Sequence, residues 1–249
     1  PPPPPPPPPP APPDPPPPRP PPPPDPPPPP PQPPPPPREH ELHRPPPHQQ
    51  HLRIRLAAIN TTKTLEGFDF NFNPSLNRQQ VLDLSTCTWI RQKRNALICG
   101  PTGVGKTHLA QALTHEACRR GYTALFINTY KMLQHINGGR ADGTLERRFQ
   151  TYLRPDLLIL DDFGLKPLHP PAPEDLYDVI NERYERGSIM LTSNRAPEEW
   201  PDLFGSPLLA SAGLDRLTHQ AHMIVITGTS FRAHGVHEPE KEVPIESTP

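Results

Sequence analysis

Short apolar runs alternate with longer amphipathic stretches between residues 77 and 227. The apolar runs predict buried strands, and stretches in which apolar residues recur every three or four positions predict helices. The predicted strands are 96–99, 123–128, 156–160, 188–192 and 223–227. The predicted helices are 77–91, 106–120, 130–136, 145–153, 174–186 and 208–219. This alternation predicts an α/β fold in which a parallel five-stranded sheet is sandwiched by helices.

Proline divides the chain into two compositional parts. Of its 249 residues 48 are proline, and 35 of these lie in the first 50 residues. Such a segment buries no core and favours extended polyproline II, so residues 1–50 are predicted to be a disordered tail. We predict an N-terminal arm and helix over 51–95, a core over 96–235 and a disordered tail over 236–249.

Charge, cysteines and hydropathy narrow the class of protein only slightly. The net charge of −1 argues neither for nor against a nucleic-acid partner. Cys87, Cys99 and Cys118 lie far apart in an odd number, which favours small buried residues over a disulfide framework. No apolar run is long enough to span a bilayer and no signal pattern begins the chain, so a cytoplasmic protein without a membrane partner is expected.

A phosphate-binding pattern follows the first predicted strand. Residues 100–107 read Gly-Pro-Thr-Gly-Val-Gly-Lys-Thr and match Gly-x-x-x-x-Gly-Lys-Ser/Thr between a strand and a helix. Glycines let backbone N–H groups turn inward toward phosphates, and the helix that follows adds the positive end of its dipole. The predicted ATP contacts are Gly100, Pro101, Thr102, Gly103, Val104, Gly105, Lys106, Thr107 and His108. Lys106 is predicted to reach the β and γ phosphates, and Thr107 to bind Mg²⁺.

Two carboxylates end the third predicted strand. Leu157 to Asp162 reads Leu-Leu-Ile-Leu-Asp-Asp, a Walker B pattern. Because the carboxyl ends of parallel strands meet at the ligand crevice, both acids are predicted to lie beside the phosphates. Asp161 is assigned to Mg²⁺ and Asp162 to the attacking water. A helix cap is the alternative role for two aspartates after an apolar run.

Two further polar residues are candidates for the hydrolytic step. Asn194 follows the fourth predicted strand and could hold the water or the γ phosphate, although an Asx turn also explains it. Arg216, near the end of the last helix, is the candidate finger that completes a neighbouring subunit's site, with Arg232 as a weaker second candidate. The alternative for Arg216 is a solvated helix residue.

Three phenylalanines precede the core. Phe68, Phe70 and Phe72 alternate with polar residues, and this period of two predicts an extended segment with all three rings on one side. Their expected role is to pack that segment onto the domain. The alternative is that one ring borders the adenine of ATP.

The motifs together resemble a known family, the IstB-like ATPases that help insertion-sequence transposition and are related to DnaC helicase loaders. The matching strings are 63–66, 68–70, 100–110, 157–165, 183–185, 191–195, 214–219 and 230–232. The resemblance implies an AAA+ core with a P-loop, which assembles with ATP on DNA as a homo-oligomer and engages a transposase. Contact with DNA is expected to be non-specific and through the phosphate backbone.

This sequence also departs from the family pattern. Polyproline takes the place of a small helical domain, and Asp162 stands where many AAA+ proteins carry glutamate. Two alternatives to a transposition helper therefore stay open, namely a DnaC-like helicase loader and an inactive ATP-binding remnant. Basic residues that could face DNA recur at Arg53, Arg55, Arg78, Arg91, Lys93, Arg94, Arg140, Arg147, Arg148 and Arg154.

Overall fold

Five parallel strands form the sheet that carries the site. The structure is a computed structural model and describes residues 46–231. The strands are β1 (Ala96–Cys99), β2 (Ala124–Asn128), β3 (Leu157–Phe163), β4 (Ser188–Ser193) and β5 (His222–Val225). Their order in the sheet is β2-β3-β4-β1-β5, and every neighbouring pair is parallel. The predicted parallel five-stranded sheet is confirmed.

Helices cover both faces of this sheet. They are α1 (Pro47–Leu56), α2 (Arg78–Ser85), α3 (Thr88–Arg91), α4 (Lys106–Arg119), α5 (Thr129–Asp142), α6 (Leu145–Leu153), α7 (Ala172–Arg183), α8 (Pro207–Thr218) and a 3-10 helix, Pro197–Leu203. Alternate residues of β1 face opposite ways. Ile98 packs in a core with Leu109 of α4, and Leu97 in a second core with Val179 of α7. The predicted helical layers on the two faces are therefore confirmed.

The N-terminal arm differs from its prediction in two ways. Residues 68–72 contain a turn at 70–71 and a bend at 72 and form no strand, although Phe68 is buried and its ring lies 5.0 Å from that of Phe70. The predicted helix 77–91 breaks into α2 and α3 at Cys87, which has φ 60°. The break allows the buried Trp89 ring to turn back and donate from Nε1 to the Leu84 carbonyl at 2.9 Å.

Helix α5 continues past its predicted end at residue 136 to Asp142. Gly138 and Gly139 lie within this added part of the helix. A Cβ at Gly139 would come within 2.7 Å of the Leu145 backbone, so the missing side chain lets α6 approach closely. The two glycines therefore serve helix packing.

The described residues include only the last part of the first predicted tail. Helix α1 begins at Pro47, so the boundary predicted at residue 50 falls inside a helix. The rest of the predicted polyproline tail, the tail 236–249 and Arg232 lie outside the described residues. All three cysteines are buried.

Candidate functional site

The glycine-rich loop lies between β1 and α4, as its sequence predicts. Gly103 and Gly105 have φ 86° and 97°, a left-handed conformation that L side chains rarely adopt. These two glycines therefore allow the loop to curl ahead of α4. The first N–H groups of a helix such as α4 lack carbonyl partners within it, so they can bind phosphate oxygens.

Two distant segments hold this loop in place. The Phe231 N–H donates to the Gly103 carbonyl at 3.0 Å, and Asn73 Nδ2 donates to the Val104 carbonyl at 2.6 Å. The arm and the segment after β5 also join each other, because the Ser75 hydroxyl donates to the Thr227 carbonyl at 2.8 Å. The loop is thus fixed by side chains and backbone from both ends of the domain.

Lys106 is buried at the base of the loop. Its side chain is only 6% exposed, and Nζ donates to the carbonyls of Gly100 and Pro101, each at 2.7 Å. A lysine ammonium group is a hydrogen-bond donor only, so a phosphate oxygen could replace one of these carbonyls as its acceptor. The lysine is therefore already held within the loop that is predicted to receive phosphates.

Thr107 and Asp161 meet side by side. The Thr107 hydroxyl donates to Oδ1 and Oδ2 of Asp161 at 3.0 and 3.3 Å. Thr192 of β4 donates to Oδ1 of the same carboxylate at 2.5 Å. Hydroxyl and carboxylate oxygens are ligands that Mg²⁺ prefers, so this donor set fits the predicted metal. The contact from Thr192 is not anticipated by the sequence motifs.

Burial raises the pKa of the Asp161 carboxyl, and the neighbouring charge of Asp162 raises it further. Hydrogen bonds from Thr192 and Thr107 act in the opposite direction. A carboxyl whose folded pKa is raised stabilises the fold at low pH, and that stability is lost as the pH rises through the raised pKa. At neutral pH the charged Asp161 therefore costs stability in the nucleotide-free protein.

The Asp161→Asn variant is expected to unfold at a higher temperature than the wild type at pH 7 without nucleotide. The amide removes the buried charge and keeps an oxygen that accepts from Thr192. The advantage should shrink as the pH falls through the raised pKa of Asp161. Thermal denaturation across this pH range measures it, with exposed Asp202→Asn as the control. A lower midpoint for Asp161→Asn at pH 7 would show that the carboxylate stabilises the fold.

Asp162 lies one residue before the end of β3, in an unusual backbone conformation. It has φ 56° and lies at the irregularity of strand register between Leu160 and Phe163. Its Oδ2 accepts from Asn128 Nδ2 at 3.1 Å. Asn128 also caps α5, with Oδ1 accepting from the N–H groups of Tyr130 and Lys131. Asn128 is thus a site residue that the motifs missed; the only sequence signal was its place at the end of a predicted strand.

One cleft collects most of the predicted residues. It encloses about 470 Å³, and its lining includes Thr102 to His108, Asp162 and Asn194. The arm contributes Lys63 and Phe68, and the C-terminal segment contributes Phe231. Asn194 is therefore brought to the same cleft as the loop and the strand end. The lining by Phe68 leaves open the prediction that a phenylalanine borders the base.

His108 forms part of one wall of this cleft. Its ring lies 5.2 Å from that of Phe68 in an edge-to-face arrangement. Burial lowers the pKa of His108, and the nearby charge of Lys63 acts in the same direction. The imidazole is therefore expected to be neutral at pH 7. It then contributes to the wall of the cleft by packing and adds no positive charge.

Arg216 does not join this cleft. It lines a second, smaller cleft together with Asn95, Gly187 and Gln220. These three residues stand just ahead of β1, β4 and β5, at the amino ends of the strands. The loop and Asn194 follow the carboxyl ends of β1 and β4. Arg216 therefore lies at the edge of the sheet formed by the amino ends of the strands, and the phosphate-binding loop lies at the opposite edge, formed by their carboxyl ends.

Comparison with known proteins agrees with this geometry. A family model described as IstB-like ATP binding protein matches residues 38–238. The chain belongs to this IstB-like family. A putative ATP-binding protein in an insertion sequence of Mycobacterium tuberculosis is 41% identical over 181 residues, which cover 72% of each protein. The resemblance found in the motifs is confirmed, and the protein is an ATP-binding P-loop protein.

Solved structures related to this IstB-like protein support the same fold. The replication initiator DnaA bound to AMPPCP and single-stranded DNA matches with a TM-score of 0.57 and 25% identity, over 69% of this chain and 52% of DnaA. The DnaC helicase loader matches with a TM-score of 0.56 and 20% identity, over 67% of this chain and 97% of the loader. The P-loop AAA+ fold is confirmed. Within residues 46–231, no helix has the length and apolar character to cross a membrane.

Proposed function

We propose that this protein hydrolyses ATP with Mg²⁺ and assembles on DNA as a homo-oligomer to assist a transposase. The observation that carries the proposal is the meeting of Lys106, Thr107 and Asp162 in one cleft, with Asp161 bonded to Thr107. A nucleotide-binding loop alone requires no second acid. The paired carboxylates beside it favour hydrolysis over binding alone.

Each residue of the cleft has a proposed role. Lys106 exchanges its bonds to the loop carbonyls for oxygens of the β and γ phosphates, aided by the backbone of Gly100 to Thr107. Thr107 and Asp161 hold Mg²⁺, which when bound offsets the negative charge of the phosphates. Asp162 orients the attacking water, and Asn194 holds that water or the γ phosphate. Asn128 keeps the Asp162 carboxylate in place from the neighbouring strand.

Arg216 is proposed to act on a neighbouring protomer. Its position at the amino ends of the strands keeps it away from the cleft of its own chain. A contact between the Arg216 edge of one protomer and the cleft edge of the next is heterologous, so it extends into a ring or a filament. An arginine supplied in this way stabilises the charge that develops on the transferring phosphoryl group.

Support for DNA and a transposase comes from the relatives and from charge. The relative named above belongs to an insertion sequence, and the DnaA neighbour is bound to single-stranded DNA. Two of the predicted basic residues are engaged within the domain: Arg140 binds both oxygens of Asp175, and Arg148 binds Asp142. Arg147 of α6 and Arg154, which directly follows α6, are exposed, so they are stronger candidates for phosphate contacts than Arg140 and Arg148.

The test is ATP turnover by the full chain with and without duplex DNA. Turnover is expected to require Mg²⁺, to rise when DNA is added, and to lose this stimulation as salt increases, because phosphate contacts are salt-dependent. Arg147→Ala with Arg154→Ala should weaken the stimulation, whereas the exposed Arg186→Ala should not. An ATP turnover that is the same with and without DNA at low salt would contradict the proposed assembly on DNA.

A further inference from the structure

The guanidinium of Arg216 lies over two tyrosine rings. Its Cζ is 5.8 Å from the ring centroid of Tyr177 and 6.0 Å from that of Tyr184. A ring face attracts a guanidinium at such distances. Nη1 also donates to the Ala212 carbonyl at 2.7 Å, one turn back along α8. Three contacts therefore restrict where this long side chain points.

Tyr184 is itself held in place. Its hydroxyl lies 3.1 Å from Nδ1 of His219, and the two ring centroids are 5.7 Å apart. Its backbone N–H donates to the Ile180 carbonyl at 3.0 Å and caps the end of α7. The ring under Arg216 is thus fixed by α7 on one side and by the residue that ends α8 on the other.

Among the described residues, Arg216 has two ring faces as partners where several other arginines have acids. Some arginines of the domain pair with acids, as Arg140 does with Asp175 and Arg195 with Glu199. Arg78 instead lies over a single ring, that of Phe70, at 5.4 Å. Within residues 46–231, Arg216 has no carboxylate in ion-pair contact. An acid would cancel the charge and compete with a phosphate for the guanidinium. Ring faces orient the group and leave its charge in place.

We propose that Tyr177 and Tyr184 are positioning residues, which orient the Arg216 guanidinium for the nucleotide of the neighbouring protomer. This inference rests on the proposed trans role of Arg216. An unrestrained arginine side chain loses rotamer entropy when it reaches the transferring phosphate. Restricting it beforehand lowers that cost at the moment of reaction. Neither tyrosine touches the reacting atoms.

The experiment measures ATP affinity and turnover on DNA for a variant carrying Tyr177→Leu and Tyr184→Leu. Affinity is expected to stay near the wild-type value, and turnover to fall about 5- to 30-fold as two cation–π contacts are lost. Tyr184→Phe keeps the ring and should retain more turnover than Tyr184→Leu. Circular dichroism checks folding, and the two single leucine variants replace the double variant if it does not fold.

Mixing separates this role from a merely structural one. Combined with Lys106→Ala, the tyrosine variant should recover turnover, because its intact loop then meets a well-placed Arg216 from the partner. Combined with Arg216→Ala, it should not recover. The positioning role is overturned if the tyrosine variant has wild-type turnover while Arg216→Ala is slow and recovers with Lys106→Ala. That result is still consistent with the trans role of Arg216. The positioning role is also overturned if Arg216→Ala recovers with Lys106→Ala and the tyrosine variant does not, because the defect then lies in the tyrosine variant's own nucleotide site. Wild-type turnover by the unmixed Arg216→Ala protein overturns both the positioning role of the tyrosines and the trans role of Arg216.

Discussion

The Lys106→Ala variant is expected to bind ATP about 100-fold more weakly than the wild type and to show no measurable turnover. The variant loses charge-assisted hydrogen bonds to the β and γ phosphates, and about 3 kcal/mol corresponds to that loss of affinity. Arg216 cannot compensate within the chain, because it lies at the opposite edge of the sheet. Calorimetric titration with ATP measures the affinity directly.

The control for this variant is Lys131→Ala. Lys131 is an exposed lysine on α5, outside the lining of the nucleotide cleft. The ATP affinity of the Lys131→Ala variant should match that of the wild type in the absence of DNA. A thermal midpoint for Lys106→Ala close to the wild type would show that the loss arises at the site. Wild-type affinity and turnover in Lys106→Ala would overturn the assignment of the loop.

The Arg216→Ala variant is expected to bind ATP normally and to hydrolyse it about 1,000-fold more slowly, at the low end of the range for an arginine supplied by a neighbour. Binding is retained because Lys106 and the loop backbone remain intact in each chain. Turnover falls because the arginine matters most as charge develops during transfer. Single-turnover kinetics on DNA, with ATP affinity measured separately, distinguish the two effects.

A parallel fall in affinity and turnover would contradict this role and place the effect of Arg216 in its own chain. The matched control is Arg186→Ala, an exposed arginine that pairs with Glu182 one helical turn away. This control should leave both quantities unchanged. A wild-type rate for Arg216→Ala would return the residue to the alternative of a solvated helix position.

Local patterns were sufficient to locate the main parts of the cleft. The loop 100–107 and the acids Asp161 and Asp162 lie where the sequence places them, because a strand, a tight loop and a helix follow one another without interruption. Asn194 reaches the same cleft because β4 is parallel to β1 and ends at the same edge. Their roles in hydrolysis stay predictions.

Contacts between distant residues could not be read from the sequence. Thr192 reaches Asp161 because strands β3 and β4 are paired with Leu160 beside Leu191, and Asn128 reaches Asp162 from β2. The rings around Arg216 come from α7 and from the residue that follows it, and the packing of α7 against α8 is a tertiary contact. The break at the left-handed Cys87 and the continuation of α5 beyond residue 136 were missed for the same reason, since packing overrides local propensity there.

The most direct test of the account mixes the Lys106→Ala and Arg216→Ala proteins on DNA and measures ATP turnover. Interfaces that pair an intact loop with an intact arginine should regain activity, so the mixture is expected to exceed the sum of the two variants measured separately. Mixed assembly is established by pull-down of one tagged variant with the other. A mixed assembly with no more turnover than that sum would contradict a site shared between protomers.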